Sequence, residues 1–170
     1  HDYDEYFIAE TSTYALEFYK EMKSVKAYSY DGVNLPFENN FFDRIIISHC
    51  LEHTPKPHEL LKKCKSLLSN NGFIFVAVPD CGNDTILRES ITNNASSFHF
   101  SKQTIQKAAE NVGLRAVKID SLRELYRFEG RFHLILNNNA GTINKKLCPY
   151  YPFKVTKKQN GHEIRLVLKK

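Results

Sequence analysis

Residues 31–79 read DGVNLPFENNFFDRIIISHCLEHTPKPHELLKKCKSLLSNNGFIFVAVP. Arg44–Ser48 is a β-branched run of the kind expected for a strand buried on both faces. Pro55 and Pro57 punctuate the chain, and a helix is predicted to start near Pro57 or His58. Leu60, Leu61, Cys64, Leu67 and Leu68 then fall on one stripe of that helix. Asn70, Asn71 and Gly72 are predicted to stop it, with Gly72 in a left-handed C-terminal position. Phe73–Val78 reads as a second buried strand, ended by Pro79 because proline cannot donate to a ladder. Strand, helix, strand, with polar residues where the first strand ends, is the grammar of an open α/β sheet. Such sheets bind ligands at the carboxyl ends of their strands.

The rest of the chain extends the pattern. Upstream, Tyr6–Glu10 is a short strand, Thr11 or Ser12 can cap a helix, and Ala15, Leu16, Tyr19 and Met22 give that helix an apolar side. Val25–Tyr30 is a further strand. Downstream, residues 81–100 form a long loop, with a short helix expected around Thr85–Ile91. Ser101 caps a helix bearing Ile105, Ala108, Ala109 and Val112, and Gly113 closes it before the strand Leu114–Ile119. Residues 121–158 are expected to be an insertion before a last strand, His162–Leu168, which the turn chemistry of Asn160-Gly161 allows to run antiparallel. The predicted order is β-α-β-β-α-β-α-β-(insertion)-β. That implies a single α/β domain over 1–170 with a mostly parallel sheet covered on both faces.

Composition supports a folded domain: 42% hydrophobic and 25% charged residues argue against disorder. No apolar run approaches the length of a membrane span, so no membrane partner is expected. The net charge of +5 comes with lysines spread along the chain, which reads as a solvated surface and makes nucleic acid an unlikely partner. Cys50, Cys64, Cys81 and Cys148 form no CxxC pair, which suits reduced thiols in a cytoplasmic protein.

The segments IAETSTYALEFYK, DGVNLPFENNFFD, IIISHCLEH, SNNGFIFVAVPD and FHFSKQTIQKAAENVGL, in this order and spacing, resemble the class I S-adenosylmethionine-dependent methyltransferases of the small-molecule type. The resemblance implies a Rossmann-like fold and S-adenosylmethionine as cofactor. It implies Glu10, with neighbouring Thr11, at the ribose hydroxyls, where one carboxylate suits a diol. It places Asp31 at the adenine amino group, with the backbone at Gly32 or Val33 along the ring edge. Ser48 and His49 would lie by the methionine part, near the sulfonium. The family also has a first strand and a Gly-x-Gly-x-Gly loop, yet no glycine precedes Gly32. The sheet is therefore expected to lack its central member. That strand would come from residues beyond those read here, from a partner segment or from a second copy in a homo-oligomer.

His49, Glu52 and His53 would share a face if helical, and His99 could approach from the long loop. A general base for an O- or N-nucleophile is therefore expected at His49, His53 or His99. Glu52 and His53 serve equally well as local turn-fixing residues, and no metal site is expected. Phe98, Phe100, Tyr126, Phe128, Phe132, Tyr150, Tyr151 and Phe153 are mostly core in this reading, with those in 145–153 the best candidates for a lid. The expected activity is methyl transfer to a small-molecule or sugar-like acceptor. The alternatives are a methyltransferase-like scaffold without activity and an RNA methyltransferase.

Overall fold

In a computed structural model, the structure describes residues 5–23, 25–93, 96–124, 153–155 and 161–170. The elements are β1 (Tyr6–Glu10), α1 (Thr13–Lys20), β2 (Val25–Ser29), β3 (Phe42–Ser48), α2 (Pro57–Leu67) and β4 (Leu68–Pro79), then α3 (Asp84–Thr92), α4 (Lys102–Asn111), β5 (Arg115–Glu124), β6 (Phe153–Val155) and β7 (Glu163–Lys169). Ser12 and Ser101 cap α1 and α4 as predicted, and Gly113 takes φ +75° after α4. Met22, predicted on the first helix, lies beyond its end and is exposed. Most of the predicted insertion, including Tyr126, Phe128, Phe132, Tyr150 and Tyr151, lies outside the described residues, as do Cys148 and the Asn160 turn.

The strands form two separate sheets. β1 and β2 pair in parallel. The other sheet has the order β3-β4-β7-β5-β6, with β3 and β4 parallel. β7 is antiparallel to both β4 and β5, so β3, β4 and β5 run one way and β7 and β6 the other. The last strand thus inserts antiparallel between two parallel ones. β1 and β3, each the edge of its sheet, face one another across a gap. Phe7 on β1 reaches Phe42 on β3 at 5.5 Å between ring centroids, edge to face, so aromatic rings tie the two sheets near the strand starts.

The core lies on one face of the larger sheet. Ile74, Val76 and Val78 on β4 and Ile164, Leu166 and Leu168 on β7 are buried against Leu60, Leu61 and Cys64 of α2 and Ile105 and Ala109 of α4. The alternate positions, Phe73, Phe75 and Val167, are half-buried. Coverage on both faces was expected; among the described residues the pattern is that of a sheet with one well-covered face. β3 departs most from expectation. Ile47 is buried and Ile45 half-buried, but Ile46 is 72% exposed.

Gly72 is a second correction. Helix α2 ends at Leu67 and passes straight into β4, so Asn70, Asn71 and Gly72 are strand residues. Gly72 is not in the left-handed region; it is needed because a Cβ there would sit 2.7 Å from the Asp43 carbonyl oxygen. A backbone atom cannot rotate away. Gly72→Ala is expected to cost about 1–3 kcal/mol of stability, measured by urea unfolding. No loss would mean that β3 and β4 can move apart freely at that point.

Candidate active site

The carboxyl ends of β1, β2 and β3 open onto a cavity of about 770 Å³ that fills the gap between the sheets. Glu10, Thr11, Asp31, Gly32, Ser48, His49 and His53 all line it. These predicted residues, spread over 44 positions, converge because strands of one direction bring their ends to one side. Val33 and His99 are not among the lining residues.

Each wall has its own local cause. Glu10 ends β1, and its Oε1 accepts the amides of Thr11 and Ser12 at 2.8 Å each. These are amides at the approach to α1, where a carboxylate is favoured. Oε2 accepts nothing from the described residues and is free for a ligand. Asp31 follows β2. Its Oδ1 accepts the amides of Val33 and Asn34, and its Oδ2 the Asn34 side-chain amide. Those hydrogen bonds, the Asn34 amide first, hold its carboxyl down at about 2. Its folded value lies below its unfolded one. The stability it lends is therefore present above about pH 4 and lost as pH falls towards about 2. Val33 thus serves by fixing Asp31. Gly32 is buried with φ +91°, a conformation L side chains rarely adopt, and its Cα faces the Pro55 ring. On the far wall the Tyr30 hydroxyl lies 3.4 Å from Cys50 Sγ, bridging the segments that follow β2 and β3.

Beyond Ser48 the chain turns sharply. His49 has φ +48°, a left-handed backbone that costs a non-glycine residue about 1–3 kcal/mol. Several contacts hold it. Its amide donates to the Ala77 carbonyl at 2.9 Å, Nε2 lies 2.7 Å from Glu163 Oε2, and Nδ1 lies 3.4 Å from Glu52 Oε1. The Glu163 hydrogen bond, then that of Glu52, raises the His49 pKa to about 10. The stability linked to that proton is fully present below pH 6.5 and falls away as pH rises to about 10. Glu163 is opposed by burial, which pushes it up, but the His49 and Arg165 hydrogen bonds win and hold it below the usual carboxylate range.

Residues 51–53 form a turn, not the helix needed to put His49, Glu52 and His53 on one face. His53 Nε2 is 3.8 Å from Glu52 Oε1. Glu52 is buried, and its Oε2 accepts no hydrogen bond among the described residues. No group of three His, Cys, Asp or Glu among the described residues is arranged to hold a metal ion. Phe100 is buried and Phe98 partly exposed, the two rings stacked at 6.3 Å.

Sequence reasoning missed Glu163 and Arg165. Their signal was present: in the strand Glu163–Lys169, Glu163 and Arg165 alternate with Ile164, Leu166 and Leu168, which marks one face as charged at the strand's start.

The family model described as a methyltransferase domain matches residues 2–76, from the approach to β1 through most of β4. Over those residues the chain is similar to a methyltransferase domain. No curated protein matches it significantly. Among solved structures, the domain is similar to a possible histamine N-methyltransferase of Thermotoga maritima, at 16% identity and a TM-score of 0.70. That match covers 96% of this chain and 72% of the other. A Haloferax volcanii chain solved with the Trm112 methyltransferase activator matches at 16% identity and a TM-score of 0.69, covering 97% and 71%. An S-adenosylmethionine-dependent methyltransferase of Archaeoglobus fulgidus matches at 19% and 0.66, covering 96% and 75%. The cofactor implied by the family is S-adenosylmethionine. The cavity has a fitting donor set for it: a carboxylate oxygen at Glu10 that accepts nothing from the described residues, a second carboxylate at Asp31, and Gly32, which has no side chain, beside the Pro55 ring.

No helix among the described residues is long and apolar enough to cross a membrane.

Proposed function

We propose that this domain transfers the methyl group of S-adenosylmethionine to a small-molecule or sugar-like acceptor. The observation carrying this is the convergence of Glu10, Asp31 and Ser48–His49, from three strand ends, on one cavity. When bound, the cofactor supplies a methyl group on a cationic sulfur. Glu10 Oε2 would accept from the ribose hydroxyls and Asp31 from the adenine amino group, while Gly32 lets the backbone approach the ring. Ser48 and His49 would border the methionine part. Methyl transfer of this kind is largely a matter of aligning nucleophile, methyl and sulfur, which the cavity walls can do by position.

The charged form of His49 has no lone pair to take a proton. The role of base therefore falls to His53, half-exposed on the cavity wall, for an acceptor that needs deprotonation. A small acceptor is favoured over RNA because no lysine among the described residues lines the cavity. Its one arginine, Arg44, lies over the Phe73 ring at 5.6 Å. An RNA channel would be basic.

The facing edges of β1 and β3 support a second element of this reading. A parallel strand from a segment outside the present residues, or from a partner copy, would pair both open edges and cover exposed backbone groups.

Isothermal titration of the full-length protein with S-adenosylmethionine is expected to give saturable binding. No heat at millimolar cofactor would overturn the enzymatic reading in favour of a scaffold. RNA binding that weakens steeply with salt would instead favour an RNA acceptor.

A further inference from the structure

His49, in the turn after β3, and Glu163, at the start of β7, are 114 positions apart, with β4 between those two strands. We propose that Glu163 is a positioning residue: from the last strand it holds His49 as an oriented imidazolium on the cavity wall. The consequence for the cofactor rests on the methyl-transfer reading above; the contact itself does not.

The geometry requires the charged ring. A neutral imidazole has one donor nitrogen and one acceptor nitrogen. Here Nε2 is 2.7 Å from Glu163 Oε2 and Nδ1 is 3.4 Å from Glu52 Oε1. In either neutral tautomer one nitrogen lone pair would face a carboxylate oxygen. Only the imidazolium donates on both sides. Neither carboxylate can retreat to water, since Glu163 and Glu52 are both buried. Arg165 Nε donates to Glu163 Oε1, so that carboxylate is held from the other side as well.

The surrounding groups do not reverse this. The turn contributes Cys50, Glu52 and His53, and β7 contributes Glu163 and Arg165. At the end of β4, Asp80 is occupied by the Gly82 amide and the Ser121 hydroxyl. Across the cavity stands Glu10. Half of the His49 side chain remains exposed on the cavity wall, so whatever binds there meets a fixed cation with its orientation set by the last strand.

The test uses the full-length protein. By NMR, the wild-type His49 ring is expected to stay doubly protonated from about pH 6 to 8, whereas in Glu163→Gln it should titrate within that window. The methionine part of the cofactor ends in a carboxylate, which a cationic ring attracts, so calorimetry should show Glu163→Gln binding S-adenosylmethionine about tenfold more weakly at pH 8 and near wild-type strength at pH 6, where an ordinary imidazole is charged regardless. An equal loss at both pH values would mark a merely structural role and overturn the proposal. An unchanged titration would do so too. If Glu163→Gln does not fold, Glu163→Asp carries the test. Its withdrawn carboxylate should lower the His49 titration point, and no change overturns the proposal. A wild type that binds no cofactor overturns the methyl-transfer reading alone, because the NMR titration needs no ligand.

Discussion

Glu10→Ala is expected to weaken S-adenosylmethionine binding by roughly 10- to 150-fold, or about 1.5–3 kcal/mol. The argument runs from the local backbone. Glu10 Oε1 is tied to the Thr11 and Ser12 amides, which fixes the carboxylate before any ligand arrives. Oε2 then offers a pre-oriented acceptor to a vicinal diol, and hydrogen bonds to a charged acceptor are the strong ones. The substitution removes both oxygens but little of the fold, because α1 keeps its own cap, the Ser12 hydroxyl accepting the Ala15 amide at 3.3 Å. Calorimetry measures the affinity, and a thermal melt checks that the loss is local. Glu10→Gln separates the two roles, since it keeps an oxygen for the amides and loses the charge. An affinity unchanged in Glu10→Ala would place the ribose contact elsewhere on the cavity wall.

Leu166→Ala is expected to lower stability by about 2–5 kcal/mol, read by urea unfolding. Leu166 is wholly buried in the middle of β7, paired to Val76 of β4 on one side and Ile119 of β5 on the other. Truncation leaves a cavity lined by two strands and the helices above, which cannot all close in. The same strand begins with Glu163, so its loosening should also free His49. A loss under about 1 kcal/mol would mean that β7 is not the central strand of the larger sheet.

Much of the fold was legible because the local signals agreed. Helix α2 announced itself through Pro57 at its start and the stripe of Leu60, Leu61, Cys64 and Leu67. The caps at Ser12 and Ser101 were legible for the same reason: a short hydroxyl just before an apolar-periodic stretch has one obvious use. Gly72 was misread because a glycine after a helical stripe usually serves a left-handed end. Here the neighbouring Asp43 carbonyl sets the requirement, and that neighbour is distant in sequence. The exposure of Ile46 was illegible for a similar reason. A run of isoleucines states strand propensity, not how many faces have partners.

The site divides along the same line. Glu10, Asp31, Gly32, Ser48 and His49 could be named because the family resemblance implies them, and each sits at or shortly past a strand end. That strand ends of one direction meet at one edge is a general property of α/β sheets. The state of His49 could not be read that way. It depends on Glu163 arriving from the far end of the chain, across β4, and on Glu52 being buried behind it. The chain order alone determined the strand-helix alternation, the capped helices and the row of polar residues at the strand ends, because these follow from propensities and spacings within a few residues. Only the tertiary structure decided where the antiparallel last strand inserts, between β4 and β5, that Ile46 is left exposed, and that Glu163 and Glu52 meet the histidine on the cavity wall. Those outcomes depend on burial and on charges brought together through space, and neither is written in the spacing of neighbours.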